Sequence, residues 1–192
     1  LGYPLKMAAF PQPWTMRGEN QAEHVLRLRY TITSQIPLQG VKLAVERPEW
    51  MKITFNGQPV SSESDGWFTD EAIRTLPLPE IQQGENTLVL EMPYGPATNV
   101  EWCYLLGDFG VTVAGANAEL TEPVRELAFG DWTVQGLPFY AGNVTYHCVL
   151  DVEPGEYQLD ATKYRAPLVK VELDGNTVGC PVFSPYRVEL GN

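Results

Sequence analysis

Cationic side chains are scarce. The 192-residue chain carries 13 Lys and Arg against 24 Asp and Glu, a formal charge of −11. With no basic run to focus phosphate, nucleic acid is not an expected partner. Long apolar runs are missing as well. Stretches such as Thr87-Leu88-Val89-Leu90 fall far short of a membrane-spanning helix, so no membrane partner is expected. Cysteine is limited to Cys103, Cys148 and Cys180, widely spaced and without a Cys-x-x-Cys pair. That pattern offers no zinc or dithiol site and predicts buried free thiols. His24 and His147 stand alone in sequence, without metal-ligand spacing, and read as solvated strand residues. No Ser/His/Asp set, phosphate-cradling loop or EF-hand loop occurs. A calcium ion held by loop carboxylates has no motif behind it, so no cofactor is expected.

What is present is apolar material, 44% of residues with 11% aromatic, enough for one large core or two small ones. Gly (17) and Pro (16) are spread along the chain rather than clustered. Even punctuation of this kind suits many short strands and turns, so the expected class is all-β, a sandwich or jelly roll. The chain does not begin with Met, and Leu1–Phe10 lacks the basic and apolar stretches of an intact secretion signal. A piece of a longer polypeptide, or a processed one, is the expectation.

An internal repeat organises the sequence. Trp14-Thr15-x-x-Gly18 recurs as Trp132-Thr133-x-x-Gly136, an offset of 118 positions (132 minus 14). At that offset Leu26, Leu28, Tyr30 and Ile32 fall on Val144, Tyr146, Cys148 and Leu150, both sets alternating as half-buried strands do. Lys52-Ile53-x-Phe55-Asn56-Gly57-x-x-Val60 falls on Lys170-Val171-x-Leu173-Asp174-Gly175-x-x-Val178. Asn-Gly and Asp-Gly tolerate the positive φ of a two-residue hairpin turn. Shared spacing of anchor, strand and hairpin points to duplication of one β-unit.

The first copy continues through Trp67-Phe68-Thr69-Asp70 into Ile73–Leu78, then Gly84-Glu85-Asn86 into Thr87–Met92, and ends with Glu101–Val113. The second reaches Phe183–Leu190, like Trp67–Leu78, and the counterpart of Gly84 would lie beyond Asn192. The expected organisation is a first sandwich unit over 1–116, a connector over 117–128, and a second unit over 129–192 without its final strands. Such a unit leaves strand edges unpaired, to be completed by the parent protein or by another segment. Glu119–Leu127, with Thr121 as N-cap and Pro123 early, predicts one or two helical turns in the connector.

Several segments carry a family resemblance. Ile53-Thr54-Phe55-Asn56-Gly57 and Val171-Glu172-Leu173-Asp174-Gly175 resemble one strand-and-turn motif, and Gly84-Glu85-Asn86-Thr87-Leu88-Val89-Leu90 resembles a second. Gln135-Gly136-Leu137-Pro138-Phe139-Tyr140-Ala141-Gly142-Asn143-Val144-Thr145-Tyr146 resembles an opening motif. All three are those of the galactose-binding-like jelly-roll domains of bacterial glycoside hydrolases, of the family 2 β-glycosidase and α-L-rhamnosidase-like kinds. The resemblance implies tandem galactose-binding-like units, the second incomplete, in a bacterial protein, cytoplasmic or exported. It also implies that the catalytic carboxylates sit in a separate barrel, so this chain alone is non-catalytic. Fold likeness does not assign an activity.

A glycosidase needs two carboxylates facing each other across a sugar. Asp70 with Glu71, or Glu101 with Asp108, are available, but their spacing sets up no such pair and they read as surface acids. Carbohydrate contact is the better-supported chemistry, because sugar C–H faces stack on aromatic rings while Asp, Asn, Glu or Arg bind hydroxyls. Trp67 and Asp70 in a Gly- and Ser-rich loop, Glu101 and Trp102 before a strand, and Tyr140 are the candidate carbohydrate-binding residues. Trp14 and Trp132, at matched repeat positions, read as structural. Asn143-Val144-Thr145 matches a glycosylation sequon, not expected to be used in a bacterial chain. The expected function is a non-catalytic accessory β-sandwich region of a glycoside hydrolase. Its partners would be the parent catalytic domain and an oligo- or polysaccharide. The alternatives are an autonomous carbohydrate-binding module and a structural or adhesive surface domain without sugar affinity.

Overall fold

The computed structural model describes residues 22–95, 98, 100–161 and 163–191. Leu1–Phe10 and the first repeat anchor, Trp14-Thr15-x-x-Gly18, lie outside them. Among the described residues the chain is all-β, with single 3-10 turns at Pro48–Trp50 and Trp132–Val134 and no α-helix. Among the described residues no helix is long and apolar enough to cross a membrane.

One compact unit runs to Gly142. Its strands are β1 (His24–Ser34), β2 (Lys42–Glu46), β3 (Lys52–Phe55), β4 (Gln58–Pro59), β5 (Gly66–Phe68), β6 (Asp70–Pro77), β7 (Gly84–Tyr94), β8 (Tyr104–Leu106), β9 (Gly110–Ala114) and β10 (Asn117–Thr121). They form a six-stranded sheet, β4-β3-β7-β1-β10-β9, and a four-stranded sheet, β5-β6-β2-β8. Strand β7 is the spine of the larger sheet. It pairs antiparallel with β1 from His24 opposite Tyr94 to Ser34 opposite Gly84, and with β3 on its other side. Its sequence alternates as a one-face-buried strand requires, with Asn86, Leu88, Leu90 and Met92 buried. Leu88, Leu90 and Met92 join Ile53 and Phe55 of β3 and Leu120 of β10, and meet Leu43 and Val45 of β2 and Leu76 of β6 in one buried cluster. Two sheets sharing a core in this way is the arrangement of a β-sandwich.

Gly84-Glu85-Asn86 is fixed by hydrogen bonding. Asn86 is 1% exposed. Its Oδ1 accepts from the Gln82 N–H (2.9 Å) and from Asn56 Nδ2 (2.8 Å), and its Nδ2 donates to the Gln82 carbonyl (2.8 Å). Asn56 completes the clamp: its N–H donates to the Thr87 carbonyl and its Oδ1 accepts from the Thr87 N–H, both at 2.8 Å. The Asn-Gly hairpin between β3 and β4 is thereby locked to the start of β7.

The second compact unit begins at Asn143. It holds β11 (Tyr157–Asp160) paired with β14 (Arg187–Gly191), and the hairpin of β12 (Val171–Leu173) with β13 (Asn176–Gly179). Val171, Pro181 and Val188 are its buried residues among those described. Gly179 admits Val188, since a Cβ at that position would come within 2.7 Å of the valine methyl. Tyr164 and Tyr186 meet edge to face at 5.5 Å, and the Tyr164 hydroxyl donates to the Pro181 carbonyl. The two Asx-Gly turns match: Asn56 and Asp174 both have φ 50°, and Gly57 and Gly175 both have φ 79°.

Three expectations are corrected. Glu119–Leu127 forms no helical turn, because Asn117–Thr121 is β10, paired antiparallel with β9 and parallel with β1. Ladder hydrogen bonds and burial of Leu120 outweigh the local capping signal. The thiols are not uniformly buried: Cys103 is half-buried, whereas Cys148 and Cys180 are exposed. Finally, residues 144–150 alternate like β1 yet carry no strand ladder, so His147 is exposed but not on a strand. An isolated strand is not stable without a partner, and β1 has β7 where this stretch has none among the described residues.

Candidate functional site

The four-stranded sheet β5-β6-β2-β8 turns one face away from the core of the first unit. Leu43 and Val45 of β2 point into the core, so Lys42, Ala44 and Glu46 point out. Tyr104, Ala44 and Thr75 lie in one row, directly opposite each other on β8, β2 and β6. Ala44 is nonetheless 0% exposed. Phe68 of β5 and Tyr104 of β8 come from the two edges of the sheet, and their rings meet at 5.5 Å, tilted by 58°.

Beside the ring pair lies a polar group of three. Asp65 accepts from the Lys42 ammonium (2.7 Å) and from the Thr75 hydroxyl (2.7 Å), while its own N–H donates to the Thr75 carbonyl. The hydrogen bond from Lys42, then that from Thr75, holds the Asp65 carboxyl below the usual carboxylate range. Gly66 follows without a side chain, and a Cβ there would press on the Thr75 hydroxyl at 3.3 Å. Rings flanked by a charge-fixed carboxylate, an ammonium and a hydroxyl can offer both apolar stacking and hydroxyl recognition.

The residues singled out from sequence do not gather on this face: Trp67 lies opposite Arg74, itself opposite core-facing Val45, so alternation puts it on the other side of the sheet from Tyr104. Trp67, 55% exposed, precedes Phe68 on β5. A register shift between Trp67 and Phe68 breaks the strand alternation and re-aims the edge. Asp70 opens β6, and its carboxylate accepts from the Ala72 N–H (2.8 Å), shaping the turn whose Thr69 has φ 60°. Glu101 and Trp102 immediately precede Cys103 and β8, and Trp102 is 74% exposed. The Phe68–Tyr104 contact therefore joins the Trp67–Asp70 segment to the Glu101–Trp102 segment. Tyr140 belongs to a different segment, 136–142, where its ring lies over Gly142. Lys42, Asp65 and Thr75 escaped the sequence reading. They converge only through the pairing of β2 with β6, which no local motif announces.

Behind the face, Tyr30 of β1 and Cys103 meet. Burial, and then the Cys103 sulfur, push the Tyr30 phenol up to about 12, and burial raises the thiol as well. Of the carboxylates considered for catalysis, Asp108 is ion-paired with Arg125 at 2.9 Å. Trp132 is half-buried in its 3-10 turn, capped by the Asp131 carboxylate on the Thr133 N–H. Among the described residues no group of three His, Cys, Asp or Glu side chains is placed to hold a metal ion. Comparison with protein-family models, with curated proteins and with solved structures gives no match.

Proposed function

We propose that this chain is a non-catalytic accessory β-sandwich region of a bacterial glycoside hydrolase, which supports the catalytic domain and contacts carbohydrate. The observation that carries the reading is the outer face of the four-stranded sheet. It carries the Phe68–Tyr104 ring pair with Asp65, Lys42 and Thr75 alongside, and the segments that supply the two rings also hold the exposed Trp67 and Trp102. Sugars bind where flat C–H surface and hydroxyl partners are offered together, and this face offers both. The jelly-roll resemblance, with tandem galactose-binding-like units, supplies the enzyme context.

Calorimetric titration of the full chain with a panel of soluble oligosaccharides tests the sugar contact. Binding is expected for at least one glycan, weakened tenfold or more by Trp67→Ala, which is about 1.4 kcal/mol. Binding unaffected by both Trp67→Ala and Trp102→Ala would place the contact elsewhere. Sequencing the coding frame on both sides tests the enzyme context, where a domain bearing two facing carboxylates is expected. An autonomous binding module is the second reading. It is favoured by a single observation: the first unit contains the whole of the large buried cluster and needs nothing more for a core.

A further inference from the structure

Two tryptophan–arginine pairs stand at one end of the first unit, where β2 gives way to β3. The first is set by local backbone. Arg47 leaves β2 in the left-handed region, with φ 50° and ψ 51°, a conformation that residues with a side chain rarely adopt. Buried Pro48 and the hydrogen bond from the Trp50 N–H to the Arg47 carbonyl (3.1 Å) hold the 3-10 turn that follows. That turn brings the Arg47 guanidinium over the Trp50 indole, 4.9 Å from the ring centroid. Met51 packs against the core, whereas Trp50 is 56% exposed. Strained residues of this kind gather at ligand clamps, where the strain preorganises a contact.

The second pair is set by strand register. Trp67 of β5 lies directly opposite Arg74 of β6, and Arg74 lies opposite Val45 of β2. Val45 points into the core, so Trp67 and Arg74 share its side of the sheet. Both are nonetheless exposed, Trp67 to 55%. Strand β2 carries Arg47 to within two positions of Val45, the residue that Arg74 faces. Charge adds a further observation. The chain has 24 acids to 13 cations, and Arg27, Arg125 and Arg187 each hold a carboxylate. Among the described residues Arg47 and Arg74 hold none.

We propose that this end of the first unit is a second carbohydrate contact, formed by Arg47, Trp50, Trp67 and Arg74, and that its ligand is an acidic sugar bearing a carboxylate. The inference rests on the carbohydrate reading of the chain but not on the outer face of the four-stranded sheet, since Trp67 and Arg74 lie on the other side of that sheet from Tyr104. An indole gives the C–H face of a sugar a flat apolar partner. A guanidinium gives a carboxylate a planar, two-pronged donor, and stacking on an indole fixes its orientation in advance. A chain of net charge −11 repels anions at long range, so the guanidiniums at the contact decide the affinity.

The test is calorimetric titration of the full chain with a galacturonic acid trimer and with the neutral galactose trimer of the same linkage, at one ionic strength. The acidic trimer is expected to bind at least about tenfold more tightly. Arg47→Gln and Arg74→Gln should each weaken it at least about fivefold and bring the two affinities together. Trp50→Ala should weaken it by a similar factor. Arg47→Gly suits the left-handed backbone, so it should keep the urea midpoint while losing the acid preference, which separates a lost contact from a lost fold. Arg125→Gln removes a cation already paired with Asp108 and should leave the preference as it is. Equal affinity for the two trimers, or acidic-trimer binding indifferent to both arginine substitutions, would overturn the proposal. Equal binding of a hexaglutamate peptide would do the same, by making charge alone the determinant. Neutral-trimer binding lost in Tyr104→Ala, with no acid preference, would overturn it and leave the outer-face contact standing. So would no binding of either trimer at millimolar concentration, the carbohydrate reading itself falling only if the wider glycan panel is silent too.

Discussion

Asn86 gives the sharpest handle on how the first unit is held together, and Asn86→Ala is the perturbation to make. The side chain is fully enclosed, and its amide closes the 82–86 turn on itself while anchoring Asn56. Truncation removes one acceptor serving two donors and one donor serving the Gln82 carbonyl. Gln82 and Asn56 are exposed, so water recovers part of what they lose. Two net hydrogen bonds at about 1 kcal/mol each, plus one stranded buried group at the low end of its range, sum to roughly 3 kcal/mol. With a urea slope of about 2 kcal/mol/M, the midpoint should fall by about 1.5 M. Far-UV circular dichroism in urea reads this, the transition of the first unit being followed separately from any transition of the second. Asn86→Asp keeps an acceptor but sets a buried carboxylate against a carbonyl, and should be more destabilised at pH 7 than at pH 4. A midpoint shift below about 0.5 M for Asn86→Ala would refute the reasoning and reduce the Gly-x-Asn turn to a sequence habit.

Other expectations follow from the two sheet faces. Ala44→Leu places three extra carbons at a fully buried position and should cost about 1–3 kcal/mol by overpacking, with a loss of near-UV signal, whereas an unchanged midpoint would mean that the position has room to spare. Asp65 is held below its ordinary range, so its contribution is present above the unfolded carboxylate pKa and is lost as pH falls through the lowered folded value; the gap in urea midpoint between wild type and Asp65→Asn should begin to narrow below about pH 4 and close only below the lowered folded value. Tyr30 is raised, so its contribution is complete below the unfolded value near 10 and is lost as pH rises towards about 12. Ultraviolet titration should show one phenol ionising late, absent in Tyr30→Phe.

The parts of the fold that were legible are those encoded locally. Asn56-Gly57 and Asp174-Gly175 announce left-handed turns through their own conformational preferences, and the turns form as expected with matching φ. The alternation of Leu26 to Ile32 and of Thr87 to Met92 announces β1 and β7 for the same reason. Failures occur where pairing across long sequence distances decides. Thr121 and Pro123 look like a helix start, but Leu120 is claimed by the core and Asn117–Thr121 by β9 and β1. Residues 144–150 have the pattern of a strand without a ladder to join, a distinction that alternation alone does not carry. At the candidate site, Trp67 and Trp102 were visible as aromatics in loop-like surroundings. The contact that links their segments, Phe68 with Tyr104, depends on a four-stranded order that runs β5-β6-β2-β8 and so could not be read from either segment.

The most direct measurement of the proposed sugar contact is an amide and aromatic NMR shift map of the full chain at saturation with an oligosaccharide. Shifts clustering at Asp65–Phe68, Ala44, Thr75 and Trp102–Tyr104 are the predicted result, with little change on the opposite sheet at β9 and β10. Absence of shifts with every glycan in the panel, or a cluster remote from the Phe68–Tyr104 pair, would contradict it.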